Sequence, residues 1–357
     1  GQVPEYIEMV TRWCKQYTRM PVIVKLTPNI TNVLYPAEAA KRGGADAVSL
    51  INTINSITSV DLDLFAPEPM IDGKGTHGGY CGPAVKPIAL NMVAEIAREA
   101  VENSRSTPAD LLDAHYPIED QKVLNREIAE SLGFDFEAGR IDTVTHPFCT
   151  HLGPSDTRLT TRYEERDFLS SLFGVMHEAG HGLYDQGLPG SEHGLPSGQA
   201  VSLGIHESQS RLWENHVGRA RPFWEKWLPR AAEIFPNLRT MSLDNFLRGV
   251  NRASYSCIRV EADEATYDLH ILLRFSIERR LLNRTLEVAD VPEAWNTEFE
   301  SLFGFRPPDD ANGCLQDIHW SMGGLGYFST YSIGNLNAAQ LHAAAIRDEE
   351  IASACTR

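Results

Sequence analysis

No apolar run in this 357-residue chain approaches the roughly 20 residues needed to cross a bilayer. Cysteine is sparse and scattered: Cys14, Cys81, Cys149, Cys257, Cys314 and Cys355 never fall in a C-x-x-C pair. That spacing supplies neither a thiolate zinc site nor a disulfide framework, so free thiols in a reducing cytoplasm are expected. Basic residues are also short. Lys and Arg number 32 against 48 Asp and Glu, a net charge of −16, which opposes nucleic-acid binding because phosphate contacts need clustered cations. An anionic substrate must then be drawn in by local positive charge. The opening GQVPEYIEMV lacks the basic region and long apolar core of a secretory signal, and it does not begin with Met, so the sequence reads as a fragment. No internal repeat or low-complexity tract is present, and Asn283-Arg284-Thr285 matches a glycosylation acceptor only by chance.

What is there changes character near residue 100. In the first stretch Tyr6, Ile7, Val10, Trp13, Cys14 and Tyr17 repeat at helical spacing. PVIVKL (21–26) and ADAVSLI (45–51) read as buried strands flanking a short crossover helix, AEAAKRG, which makes a β-α-β unit. A Gly-rich loop, DGKGTHGGYCGPA, then leads into a helix from Pro87. Lys25, Thr27, Asn29, Asn52 and Thr53 fall at the strand ends, where β/α barrels build their active face, although strand capping accounts for them equally. VKLTPNITN, GGADAVSLINTI and GGYCGPAVKPIALNMVAEIAR resemble consecutive segments of the FMN-binding barrel of dihydropyrimidine dehydrogenase. That resemblance implies flavin contacts for Lys25 and Gly82 and pyrimidine contacts for Asn52 and Thr53. It covers residues 1–98, less than half a barrel, without the loop that carries the family's catalytic Cys or the strands that clamp the FMN phosphate. A sheet so cut cannot close, and FMN is not expected to bind.

Residues 99–108, including SRSTPAD, read as a junction, and residues 109–357 as a mainly helical region. IEDQKVLNREIAESLG is a helix ending at Gly133, RIDTVTHPF and DTRLTTRY pair as a β-ribbon, and residues 264–284 form a long amphipathic helix. Within DFLSSLFGVMHEAGHGLYDQG, an apolar stripe of Phe168, Leu169, Leu172, Phe173, Met176 and Leu183 marks a buried helix. That helix holds His177-Glu178-Ala179-Gly180-His181. Histidines at i and i+4 project from one face and can share an ion, and the adjacent Glu178 is placed to take a proton from a water as it attacks. Burying these groups without a metal would be costly. A catalytic zinc takes three protein ligands and keeps one open position. Glu207, in GIHESQS at the start of a second predicted helix, suits the third place, with Asp185, Glu192 and Glu214 as rivals by sequence distance.

Five further motifs follow in order: His146-Pro147-Phe148, Asp156-Thr157-Arg158-Leu159-Thr160, His206-Glu207-Ser208-Gln209, Ile258 to Asp263 (IRVEAD) and Gly313 to Trp320 (GCLQDIHW). Together with HEAGH they resemble the carboxypeptidase Taq family over residues 103–350. The resemblance implies a neurolysin-like helical zinc metallopeptidase fold, a deep groove, a homodimer, and a chain truncated at both ends. It assigns His177, His181 and Glu207 to zinc (with cobalt as the alternative metal) and makes Glu178 catalytic. A carboxypeptidase must also grip a peptide's C-terminal carboxylate. Arg259 suits that task through its planar fork, against a structural salt bridge to Asp263 or Glu264. His319, Tyr327 and Tyr331 are expected around the developing oxyanion, and His146 and Arg158 outside the metal ligands. Members of the family commonly carry Pro where this chain has Ser329.

The expected function is therefore removal of C-terminal residues from peptides by metal-activated water, in the cytoplasm, with no nucleic-acid or membrane partner. The alternatives are an FMN-dependent dihydropyrimidine dehydrogenase fragment or an inactive composite of the two pieces.

Overall fold

The computed structural model describes residues 3–18, 20–104, 107–108, 112–145 and 147–347. His146 and the terminal IASACTR lie outside them. The chain divides into two compact units, one formed by Gly1–Asn103 with Asn296–Pro307 and the other by Ser104–Trp295 with Pro308–Arg357.

In the first unit, α1 (Pro4–Tyr17) precedes β1 (Ile23–Lys25), α2 (Leu34–Arg42) and β2 (Ala47–Ser49). The strands pair in parallel with Ile23 opposite Ala47 and Lys25 opposite Ser49, so the expected β-α-β unit is present. Ile7, Ala39 and Ala40 pack with Val24 and Val48 in a small core. The helices approach closely at Gly43, where a Cβ would come within 2.7 Å of the Glu8 carbonyl oxygen. This parallel sheet has two strands, whereas a barrel of this type closes with eight.

The Gly-rich stretch is not one open loop. It supplies a strand to two antiparallel pairs, β3 (Ile54–Ser56) with β8 (Gly78–Tyr80) and β6 (Met70–Ile71) with β7 (Lys74–Gly75), and a third pair, β4 (Ser59–Asp61) with β5 (Ala66–Glu68), lies before it. Asp72 and Gly73 explain the pairing of β6 with β7. Both have positive φ, 51° and 74°, which is the backbone of a two-residue turn whose twist matches a hairpin. A 3-10 turn (Gly82–Val85) then leads into α3 (Lys86–Ser104).

The second unit begins with α4 (Ile118–Leu132), which stops at Gly133, a residue in the left-handed region with φ 102°. β9 (Gly139–Thr143), β10 (Cys149–Gly153) and β11 (Asp156–Thr161) follow. The expected two-stranded ribbon is instead a three-stranded mixed sheet. β11 lies at its centre, antiparallel to β10 and parallel to β9. The polar strand CTHLG carries no run of alternating apolar residues, so periodicity alone did not mark it.

Beside the sheet lies α5 (Phe168–Gln186), whose N-terminus is capped by the Asp167 side chain accepting from Ser170 N–H. The apolar stripe of α5 enters the main core with Ile128, Trp224, Phe235 and Phe246. A buried polar pin joins α4 to α5: Asn125 donates to Ser171 Oγ at 3.1 Å, and that hydroxyl donates to Gln121 at 2.7 Å.

α6 (Leu203–Arg211) is capped by Ser202 and continues into a π-helical turn, Leu212–Val217. The expected helix opened at Glu207. The observed one starts four residues earlier, so Glu207 lies in its interior and not at a dipole-favoured end. α7 (Arg221–Ile234), α8 (Leu243–Val250), α9 (Tyr267–Leu282) and α11 (Ser329–Ala345) complete the unit's elements, and α10 (Val291–Phe303) begins in it and runs into the Asn296–Pro307 segment of the first unit. α9 starts later than its apolar pattern suggests because the Asp263 carboxylate accepts from Ala265 N–H and from both the N–H and hydroxyl of Thr266, which holds those residues in a turn.

Leu172 is fully buried at the centre of this core. Leu172→Ala should lower unfolding free energy by about 2–5 kcal/mol, read from denaturant titration. A loss below about 1 kcal/mol would mean that α5 does not organise this unit.

Candidate metal centre and active site

α5 and α6 bring three ligand atoms together. One nitrogen from each of His177 and His181 and a carboxylate oxygen of Glu207 all lie within 4.8 Å of one another. Oε2 of Glu207 stands 3.4 Å from Nε2 of His181 and 3.8 Å from Nε2 of His177. Two imidazoles and one carboxylate facing a common point suit a tetrahedral ion with a fourth place left open. Of the three rivals to Glu207, none joins this group. Glu214 and Asp185 sit behind the histidines instead.

Each histidine is oriented by its other nitrogen, in two different ways. His177 Nδ1 meets Glu214 Oε2 at 2.8 Å. His181 Nδ1 meets His206 Nδ1 at 2.5 Å, and His206 Nε2 meets Asp185 Oδ1 at 3.0 Å. Such partners fix ring orientation and leave Nε2 for the metal.

Burial and charge set the protonation of the group. Burial pushes the Glu178 carboxyl up to about 7, against the opposing pull of His177. Burial would lower His177, but Glu207 and Glu214 outweigh it and bring the imidazole up to about 8. His181 is lowered by burial. Burial also opposes ionisation of Glu214, yet Arg211 and His177 hold it down at about 2. Glu207 likewise stays below the usual carboxylate range because His177, His181 and Arg211 overcome its burial.

A second cluster gathers residues from the last motifs. His319 Nε2 meets the Tyr331 hydroxyl at 3.1 Å, and the Tyr327 ring lies 5.0 Å from that of His319. Gly323 and Gly326, with φ 80° and 81°, shape the loop before α11, and buried Glu278 of α9 accepts the Gly326 N–H. Ser329 is the first residue of α11. Pro suits that place because the N–H it lacks has no helical partner there. Ser also fits it, and its hydroxyl donates to Gly326 O at 3.3 Å.

Arg259 is 3% exposed. Its Nε and Nη2 donate to Asp317 Oδ1 at 3.2 and 2.8 Å, and its Nη1 donates to Tyr267 at 2.9 Å. Its ion-pair partner is therefore Asp317, not Asp263 or Glu264. Asp317 also pairs with Arg274 at 2.6 Å. Burial resists ionisation of Asp317, but Arg274 and Arg259 hold its carboxyl at about 2. Arg158 does not approach the metal ligands in any described contact: it pairs with Asp156 on its own strand, half exposed. Lys25, Asn52, Thr53 and Gly82 are all exposed in the first unit. Asn52 caps its own chain by accepting from Thr53 N–H.

Residues 84–355 match the carboxypeptidase Taq (M32) metallopeptidase family. The chain belongs to that family. The thermostable carboxypeptidase 1 of Thermus thermophilus is 50% identical over 230 residues, which is 64% of this chain and 45% of the relative. The crystal structure of M32 carboxypeptidase from Deinococcus radiodurans R1 shares 40% identity and a TM-score of 0.71, covering 75% of this chain and 55% of that one. The chain thus spans about half the length of the carboxypeptidases it matches. Residues 1–103 match a second family, dihydroorotate dehydrogenase. Over 96 residues they are 45% identical to the NAD-dependent dihydropyrimidine dehydrogenase subunit PreA of Escherichia coli, 27% of this chain and 23% of that protein. The two family matches overlap across residues 84–103, almost entirely within α3.

In this M32 chain, glycine sets how closely the helices that hold the candidate ligands can approach. A Cβ on Gly180, inside HEAGH, would lie 2.5 Å from the Gln209 carbonyl oxygen and 2.6 Å from Ser210 Cα. On the other side of α6, a Cβ on Gly334 of α11 would lie 2.5 Å from Glu207 Cγ. Sequence reading missed Arg211, His206 and Glu214 as supports for the ligands. Helical spacing was the available signal: Asp185 is four residues after His181, Arg211 four after Glu207, and Glu214 three after Arg211. Gly180→Ala should force α5 from α6 and weaken metal binding, whereas Gly153→Ala, with open space at that position, should not. Equal metal affinities by chelator competition would contradict this account of the close approach.

Proposed function

We propose that residues 109–357 form the catalytic region of a zinc-dependent carboxypeptidase that releases C-terminal amino acids from peptides. The observation that carries this reading is the convergence of His177, His181 and Glu207 from two helices, in a chain of the M32 family. When bound, the ion supplies a Lewis acid and lowers the pKa of a water. Two imidazoles and a carboxylate favour zinc, with cobalt as the next choice.

Glu178 accepts the proton of the attacking water and returns it to the leaving amine. Its buried carboxyl, pushed up to about 7, is matched to both halves of that task. The Tyr331 hydroxyl, with His319 behind it, donates to the oxyanion as it forms, and Tyr327 lies along the substrate backbone. Arg259 keeps donors on Nη1 and Nη2 beyond those taken by Asp317 and Tyr267. These are the donors proposed to bind a C-terminal carboxylate, and Asp317 and Tyr267 hold the guanidinium plane in place for it.

Residues 1–98 are proposed as a partial β/α unit without a flavin role, and residues 99–108 as a junction. A cytoplasmic homodimer fits the family resemblance.

Glu178→Gln should keep one metal per chain and lower peptide trimming about a hundredfold or more. Undiminished trimming would remove Glu178 from this role. Arg259→Lys should reduce kcat/KM about ten- to hundredfold on peptides, and by much less on substrates with an amidated C-terminus. Equal losses on both would assign Arg259 to folding. A yellow protein with flavin absorption bands would overturn the reading of residues 1–98.

A further inference from the structure

One guanidinium touches both the third metal ligand and the support of the first. Arg211 Nε donates to Glu207 Oε1 at 2.9 Å, and its Nη1 donates to Glu214 Oε2 at 3.2 Å. That same Glu214 oxygen meets His177 Nδ1 at 2.8 Å. Glu207 is left with Oε2 turned toward Nε2 of both histidines. Tyr267 covers the face of Arg211, with the guanidinium carbon 4.2 Å from the ring centroid, so the plane cannot swing away on that side. Both residues are buried. His181 depends on a separate device, His206 and Asp185, which does not involve Arg211.

We propose that Arg211 is a positioning residue for the metal centre: its planar fork fixes the ligand-facing edge of Glu207 and, through Glu214, the ring of His177. The proposal rests on the reading above that His177, His181 and Glu207 hold an ion. A lysine cannot replace it, because an ammonium is a point charge without two donors at a fixed angle. The third ligand and the outer partner of the first are thereby tied to one group, and disturbing it perturbs two of three ligands at once.

The surroundings supply a specific test. A cavity of about 250 Å³ adjoins this network, lined by Arg211, Glu214, Arg219, Glu264, Tyr267 and Asn335 among others. Truncation of Arg211 to Ala leaves a space continuous with that cavity, into which a free guanidinium ion can pass.

Zinc affinity is measured by chelator competition in the full chain, without peptide, for Arg211→Ala, Arg211→Lys, Glu214→Gln and the Arg211→Ala/Glu214→Gln double variant. Melting of each metal-free protein is followed in parallel. Arg211→Ala and Glu214→Gln should each weaken zinc about ten- to hundredfold. The double variant should lose less than the product of the two single losses, because part of the effect of Arg211 passes through Glu214. Guanidinium ions at tens of millimolar should restore affinity to Arg211→Ala, and sodium at equal ionic strength should not. Arg211→Lys, which keeps the charge and folds more readily, should remain weak. Unchanged affinity in Arg211→Lys or Arg211→Ala, independent losses in the double variant, or a loss that guanidinium ions do not relieve would each overturn the proposal. Failure of the unsubstituted chain to bind zinc would instead refute the metal-site reading beneath it.

Discussion

Helix α6 lies between α5 and α11 with a glycine of each neighbour against it. Gly180 lets the backbone of α5 close on Gln209 and Ser210, and Gly334 lets α11 close on the side chain of Glu207. The close approach places a carboxylate of α6 opposite two imidazoles of α5 at 3.4 and 3.8 Å. One methyl group at either glycine would lie within the contact distance of atoms that have little room to shift. The glycines thus set the distance between the helices, and with it the distance between the three candidate ligand atoms.

Around that contact, charge is arranged in pairs that offset the cost of burial. Glu207 and Glu214 share Arg211, while Arg259 and Arg274 share Asp317. Breaking one member of such a pair leaves its partner buried and unpaired, which is far more costly than the pair itself is stabilising. The two clusters meet through Tyr267, which lies against Arg211 and accepts from Arg259. Arg259 also lies over the Tyr331 ring, 4.7 Å from its centroid, so the candidate ligands and the His319–Tyr331 pair are connected through one aromatic ring and two guanidinium groups.

The first unit follows different physics. Its β-α-β segment has a small apolar core and a two-stranded parallel sheet, and residues 54–80 form three short antiparallel pairs. Of the polar residues that would line the active face of a complete barrel, Lys25, Asn52 and Thr53 here stand exposed at strand ends, and Thr27 and Asn29 are half-buried. The family matches in the chain meet on α3, a single continuous helix.

Much of this was legible in the sequence wherever a periodic or local rule applied. The helix through HEAGH, its apolar stripe, the β-α-β unit, the helix stop at Gly133, and the identity of His177, His181 and Glu207 all follow from spacing or from motif order. The register of the mixed sheet was not legible, because CTHLG lacks alternation. The start of α6 was not, because its cap, Ser202, precedes a segment with little apolar pattern. Nor were the partners of buried charge. Arg259 could be seen to need an acid, but the nearby choices in sequence were Asp263 and Glu264, and the acid that reaches it, Asp317, is 58 residues away. The sequence by itself determined which groups could bind a metal and which helices would be buried. Only the tertiary structure decided which acids orient the histidines from behind and which arginine holds two of the carboxylates, because those choices depend on helix approach measured in tenths of an ångström.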